Sequence, residues 1–123
     1  MSIRTERIAK LIQRDVADLL NTEFSEQIQP MVTVTHVRVT RDLSIAYVYV
    51  SVFGADKAHR EAALRRLDEL NPKIRAALAQ RIRHQMRKMP ELRFFLDETL
   101  EEAQKMEDLF KRIRAERERR GES

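Results

Sequence analysis

Residues 31–53, MVTVTHVRVTRDLSIAYVYVSVF, constrain the fold more than any other part of this chain. Two runs rich in valine and threonine, Met31–Thr40 and Ser44–Phe53, alternate apolar and polar side chains, with only Arg41-Asp42-Leu43 between them. A period of two suits a half-buried strand and not a helix, so a β-hairpin with one face on a core is expected. The alternation slips once. Val32 and Val34 share one parity and Val37 and Val39 the other, which predicts a bulge or a change of buried face between His36 and Val37. On the second strand Tyr47, Tyr49 and Phe53 lie opposite Ala46, Val48, Val50 and Val52. The aromatic face is expected to pack against a helix in preference to serving as a base-stacking platform.

The flanks of the hairpin carry helical spacing. Ile8, Leu11, Ile12, Val16, Leu19 and Leu20 mark a first helix over about 4–20, broken by Asn21–Pro30. Ala63, Leu64, Leu67 and Leu70 mark a second over about 57–70, with Asp56 as its N-cap. Pro72 inside a helix would cost about 3 kcal/mol, and the residue before a proline avoids the α region. Asn71 is therefore expected to be the N-cap, and Pro72 the first residue, of a separate third helix reaching Met89. Pro90 stops it, Leu92–Leu96 is a short strand, and the capping box Thr99-Leu100-Glu101-Glu102 opens a last helix. The order αββααβα is an α+β fold with a three-stranded sheet packed against helices.

In the last helix Leu100, Ala103, Met106, Phe110 and Ile113 form a stripe read as a docking face. Glu101 with Lys105, Glu107 with Lys111 and Asp108 with Arg112 are spaced as helix-supporting ion pairs. Beyond Arg114 the stripe ends in almost pure charge. A single domain over residues 1–113 with a frayed tail over 114–123 is the expected organisation, and 123 residues suit one core.

The net charge of +4 is unevenly distributed. Residues 1–56 hold six basic and seven acidic side chains, 57–96 hold eleven and four, and 97–123 hold seven and nine. The excess thus lies in the middle third, and Lys73–Met89 contains no acid. On a helix spanning that stretch, Ile74, Leu78, Ile82, Met86 and Met89 form one arc, while Lys73, Arg81, Arg83, His84, Arg87 and Lys88 form the opposite arc. Arg75 falls near the apolar side. A solvated face would normally mix signs, so a one-sign stripe points to an anionic partner. With 18 arginines to 6 lysines, nucleic acid is the expected one. Lys73 and Arg75, together with the amides freed by an Asn71 cap, would form an anion site at the head of the third helix.

Other functions find little purchase. There is no cysteine, which removes disulfides and thiolate metal sites and favours a reducing, cytoplasmic compartment. Two glycines leave no Gly-rich phosphate loop and no nucleophile elbow. His36, His59 and His84 stand on separate elements without ligand spacing, so no metal, cofactor, small-molecule substrate or catalytic centre is expected. The longest apolar run, Ile45–Val50, is far below the roughly 18 residues of a membrane span, and no leader peptide or membrane partner is expected.

Three stretches, RTERIAKLIQRDVADLL (4–20), VTVTHVRVTRDLSIAYVYVSVF (32–53) and PELRFFLD (90–97), resemble the ribosome-binding factor A family over nearly the whole chain. The resemblance implies a type II KH-like fold, αββααβ with an added C-terminal helix. It also implies a non-enzymatic factor that binds 16S rRNA in the small (30S) subunit during late maturation and rRNA processing and supports cold adaptation. The expected RNA-binding residues are Asn71, Lys73, Arg75, Arg81, Arg83, His84, Arg87 and Lys88, in a monomer. KH domains clamp backbone with a Gly-x-x-Gly loop, whereas this family joins its central helices by a kink carrying Ala-x-Gly. Here the junction reads Leu70-Asn71-Pro72. A basic DNA-binding or nucleoid-type protein, and a protein adaptor using the basic helix, remain as alternatives.

Overall fold

A computed structural model describes the chain except residues 1, 2, 29, 30, 53, 55, 98, 120, 122 and 123, and gives backbone alone for 99–105. Helix α1 (Ile3–Asn21) buries Ile12, Val16, Leu19 and Leu20, the spacing that places four side chains on one helical stripe. Phe24 and Ile28, also buried, carry the chain to strand β1 (Val32–Val39), which pairs antiparallel with β2 (Ile45–Val52). Helix α2 (Lys57–Ile82) crosses the sheet and delivers β3 (Glu91–Leu96) parallel to β2. The strand order is β1-β2-β3, followed by helix α3 (Thr99–Arg119). One sheet face, with Val32, Val34, Val37, Val39, Ala46, Val48, Val50, Val52, Leu92 and Phe94, closes with α1 and α2 into a single core. The expected α+β class and three-stranded sheet on helices are what the chain adopts.

The slip in β1 is a bulge at Thr35. Val34 pairs with Val50 and His36 with Tyr49, so Thr35 is the extra residue, one position before the expected site. Its insertion restores Val37 and Val39 to the core face and turns His36 outward. The Thr35 hydroxyl donates to Asp97 Oδ2 at 2.6 Å, tying the bulge to the end of β3.

Asp42 closes the hairpin. Its Oδ1 accepts from the Ser44 hydroxyl (2.7 Å), the Thr40 hydroxyl (2.8 Å) and the Ser44 amide (3.1 Å), which is why Arg-Asp-Leu-Ser makes this turn. Leu43 takes a left-handed φ of 63°. The Ser44 hydroxyl first, then that of Thr40, hold the Asp42 carboxyl at about 2, below its ordinary 3.8. Asp56, the N-cap of α2, accepts from the His59 amide at 2.8 Å, and that bond, followed by the His59 ring, lowers its pKa as well. A carboxyl whose folded pKa is depressed stabilises the fold above its unfolded pKa and ceases to do so as pH falls through the folded value. Urea midpoints are expected to decline between about pH 4 and pH 2 in wild type and to decline less in Asp42→Asn, with Asp56 supplying part of the remaining slope. An identical slope in the variant would remove Asp42 from this role.

Two expectations fail along α2. It is one helix of 26 residues that passes through Pro72, with no cap at Asn71. Ala63, Leu67, Leu70, Ile74, Leu78 and Ile82 keep one unbroken phase and all are buried, while Pro72 faces outward. Burial contributes about 1.5–3 kcal/mol for each large side chain, so Ile74, Leu78 and Ile82 together outweigh the roughly 3 kcal/mol of a mid-helix proline. The helix also ends at Ile82 and not at Met89, because Arg75 captures the following segment through non-local bonds described below. In α3, Met106, Leu109, Phe110 and Ile113 are exposed, so the described part of the stripe is not packed, and residues 114–119 are helical. The side chains of the Thr99 capping box, Leu100, Ala103 and the Glu101–Lys105 pair lie outside the described residues.

Candidate nucleic-acid interface

Residues 83–90 form an irregular segment tied back to α2 by Arg75, with Asn71 anchoring β3 just beyond it. Arg75 donates from Nε to the Pro90 carbonyl (3.1 Å) and from Nη2 to the Met89 carbonyl (2.9 Å). Asn71 Nδ2 donates to the Leu92 carbonyl at 2.8 Å, joining α2 to β3. At the near end the Arg83 amide closes the helix on the Ala79 carbonyl (2.8 Å) and the Gln85 amide bonds Ile82 (2.9 Å). Met86 and Met89 pack partly against the core, and Arg83, His84, Arg87 and Lys88 are exposed.

The expected residues therefore divide. Arg75 braces the segment, and Asn71 anchors β3 beyond it. Arg81 is drawn into α1, with Nη1 2.7 Å from Asp18 Oδ2 and 3.8 Å from Asp15 Oδ1, so its charge is neutralised internally. Lys73 faces a separate groove beside Glu23, Phe24 and Gln27. The one-sided basic helix over 73–88 does not form, and neither does the anion site at its head, because there is no helix N-terminus at residue 72.

The structure supplies a different convergence. Arg87 and Lys88 line a depression of about 310 Å³ with Arg4, Ile8, Gln85 and the Asp42–Ser44 turn. It meets at Ile8 and Gln85 a second depression, of about 450 Å³, lined by Arg7, Lys10, Leu11 and Arg14. Six cations from two elements thus border one groove, and Asp42 is the carboxylate among its described lining residues. That carboxylate is already held by Ser44 and Thr40. The sequence reading missed the α1 contribution. Arg4, Arg7, Lys10 and Arg14 fall within about 120° of helix circumference, a stripe visible from spacing alone. Summing charge over residues 1–56 concealed it among seven acids.

The aromatics also stand elsewhere than expected. Tyr47 and Tyr49 lie on the sheet face opposite the core and are joined there by Phe95 of β3 and His36. Phe53 lies outside the described residues. His59 bonds its own cap, and no group of metal-ligating side chains gathers among the described residues. No described helix is long and apolar enough to cross a membrane.

Against known proteins, the model of the family described as ribosome-binding factor A matches residues 4–110. The ribosome-binding factor A of Chlorobaculum tepidum is 44% identical over 117 residues, covering 95% of this chain and 96% of that one. The crystal structure of ribosome-binding factor A from Thermus thermophilus superposes with a TM-score of 0.63 at 29% identity, over 75% of this chain and 94% of that one. A Thermus thermophilus ribosome-binding factor A model fitted into the cryo-electron microscopy map of its 30S complex gives a TM-score of 0.58 at 30% identity, over 72% and 90% of the two chains.

Proposed function

Because the chain belongs to the ribosome-binding factor A family, we propose that it is a non-enzymatic assembly factor of the small ribosomal subunit. It binds 16S rRNA as a cytoplasmic monomer, acts during late maturation and rRNA processing, and supports growth in the cold. The observation that carries this reading is the groove where Arg4, Arg7, Lys10 and Arg14 of α1 meet Arg87 and Lys88. A concave, predominantly basic surface of this kind, whose Asp42 carboxylate is held by Ser44 and Thr40 and whose Arg14 also pairs with Asp15 at 3.5 Å, suits a phosphate backbone. Arg83 and His84 are exposed in the same 83–90 segment as Arg87 and Lys88 without lining the groove, and Lys73 stands apart as a flanking contact. Asn71, Arg75 and Arg81 position the surface without contacting RNA. The 30S complex of the Thermus thermophilus relative supports the choice of partner.

Sedimentation of a lysate tests the assignment. The protein is expected with free small subunits, and its recovery with the nucleoid, or with neither, overturns it. Groove binding through about four to six phosphates further predicts a log–log salt slope of roughly −3 to −5 in titrations against small subunits. A slope near zero would assign binding to apolar contacts instead.

A further inference from the structure

The aromatic band on the open sheet face is not accounted for by the basic groove. Its rings come from three strands and run without a gap. His36 and Tyr49 have centroids 6.0 Å apart, Tyr49 and Phe95 5.8 Å, and Phe95 and Tyr47 5.7 Å. Phe95 is 41% exposed, and it is the contiguity of its ring with Tyr47 and Tyr49, not its exposure alone, that marks the face. Tyr47, Tyr49 and Phe95 line a cleft of about 580 Å³ together with Arg38, Arg41 and Thr40, and no carboxylate is among its described lining residues. Packing does not require this arrangement, since the core lies on the other face. The bulge at Thr35 creates part of it, because without the inserted residue His36 would point into the core and Val37 away from it.

We propose that this face binds unpaired RNA, with bases stacking on Tyr47, Tyr49 and Phe95 while Arg38 and Arg41 hold the adjoining phosphates. Stacking on aromatic rings requires a free base face, which single strands offer and duplexes do not. Two guanidiniums beside the rings complement a backbone charge and favour an anionic partner over a purely apolar one. The proposal rests on the assignment to subunit RNA and deepens it. The protein would hold rRNA at two surfaces, a groove that reads charge and a sheet that selects unpaired segments.

The chain contains no tryptophan, so Phe95→Trp places a single reporter within the band. Its fluorescence is expected to be quenched by a single-stranded oligoadenylate and not by an RNA duplex of equal length. Equal quenching by both would reduce the face to an electrostatic surface and overturn the proposal. In the otherwise native chain, Tyr49→Leu and Phe95→Leu keep the apolar volume and remove the ring, and each is expected to weaken oligoadenylate binding by about fivefold or more. Unchanged affinity with these folded variants overturns the proposal. If oligoadenylate fails to quench while salt-dependent binding to small subunits persists, the sheet assignment falls and the groove assignment stands. Loss of both overturns the reading of the whole protein as an RNA binder.

Discussion

Replacing Arg7, Lys10, Arg87 and Lys88 with glutamate is expected to lower affinity for small ribosomal subunits by at least about a hundredfold, with little change in stability. These four side chains face the groove from both of its walls. Each phosphate contact contributes roughly 0.7–0.9 to the log–log salt slope, so their removal should also flatten that slope by about 3. The fold should tolerate the change because exposed substitutions away from a buried network shift stability by about 0.5 kcal/mol or less each. Arg81 is left out deliberately. Its glutamate variant would place a third carboxylate against Asp15 and Asp18 and weaken the α1–α2 contact, so lost binding would then report unfolding. Binding by subunit pelleting and thermal melting should be measured on the same preparation. A folded quadruple variant that pelleted normally would remove the groove as the RNA surface.

The largest effect on stability is expected at Ile74. Its side chain, two residues after Pro72, is fully buried, and Ile74→Ala should destabilise the protein by about 2–5 kcal/mol, a large part of the 5–15 kcal/mol typical of a domain. Pro72→Ala should act in the opposite direction. Within a continuous α2 it restores an amide that can bond the Asp68 carbonyl and removes the ring clash. Part of that gain is offset because alanine leaves the unfolded chain freer, and a net stabilisation of about 1–2 kcal/mol is expected. The sign is informative. Were residue 72 the first of a separate helix, proline would suit the position and alanine would be neutral or unfavourable. Urea denaturation of the two variants, read as midpoint shifts at constant m-value, distinguishes these cases.

Local chemistry made much of this fold legible. The hairpin, its Asp42 turn, the Asp56 cap and the bulge within one residue all follow from side chains acting on their immediate neighbours. The failures share one cause. Pro72 and Asn71 carry a strong local signal for a helix break, and the stripe from Ala63 to Ile82 overrides it because burial is summed over the whole helix. Likewise nothing near Ile82 announces the end of α2. The bonds from Arg75 to Met89 and Pro90 span 14 and 15 residues and are invisible to periodicity. The interface suffered twice. Its second wall comes from α1, which contacts Gln85 only in three dimensions, and Arg81, which by charge belonged to the stripe, is claimed by Asp18.

The bulge at Thr35 also bears on what the edges of the sheet offer to another chain. In a three-stranded sheet two strands are edges, and an edge offers unpaired amides and carbonyls on which another chain can add a strand. Thr35 divides the β1 edge into residues 32–34 and 36–39, each too short and too differently directed to template a long partner. On the opposite edge β3 has only six residues, and Glu91 and Arg93 place charge along it. Both ends of the sheet are thus poor templates for strand addition, and the open aromatic face lies between a broken edge and a short, charged one.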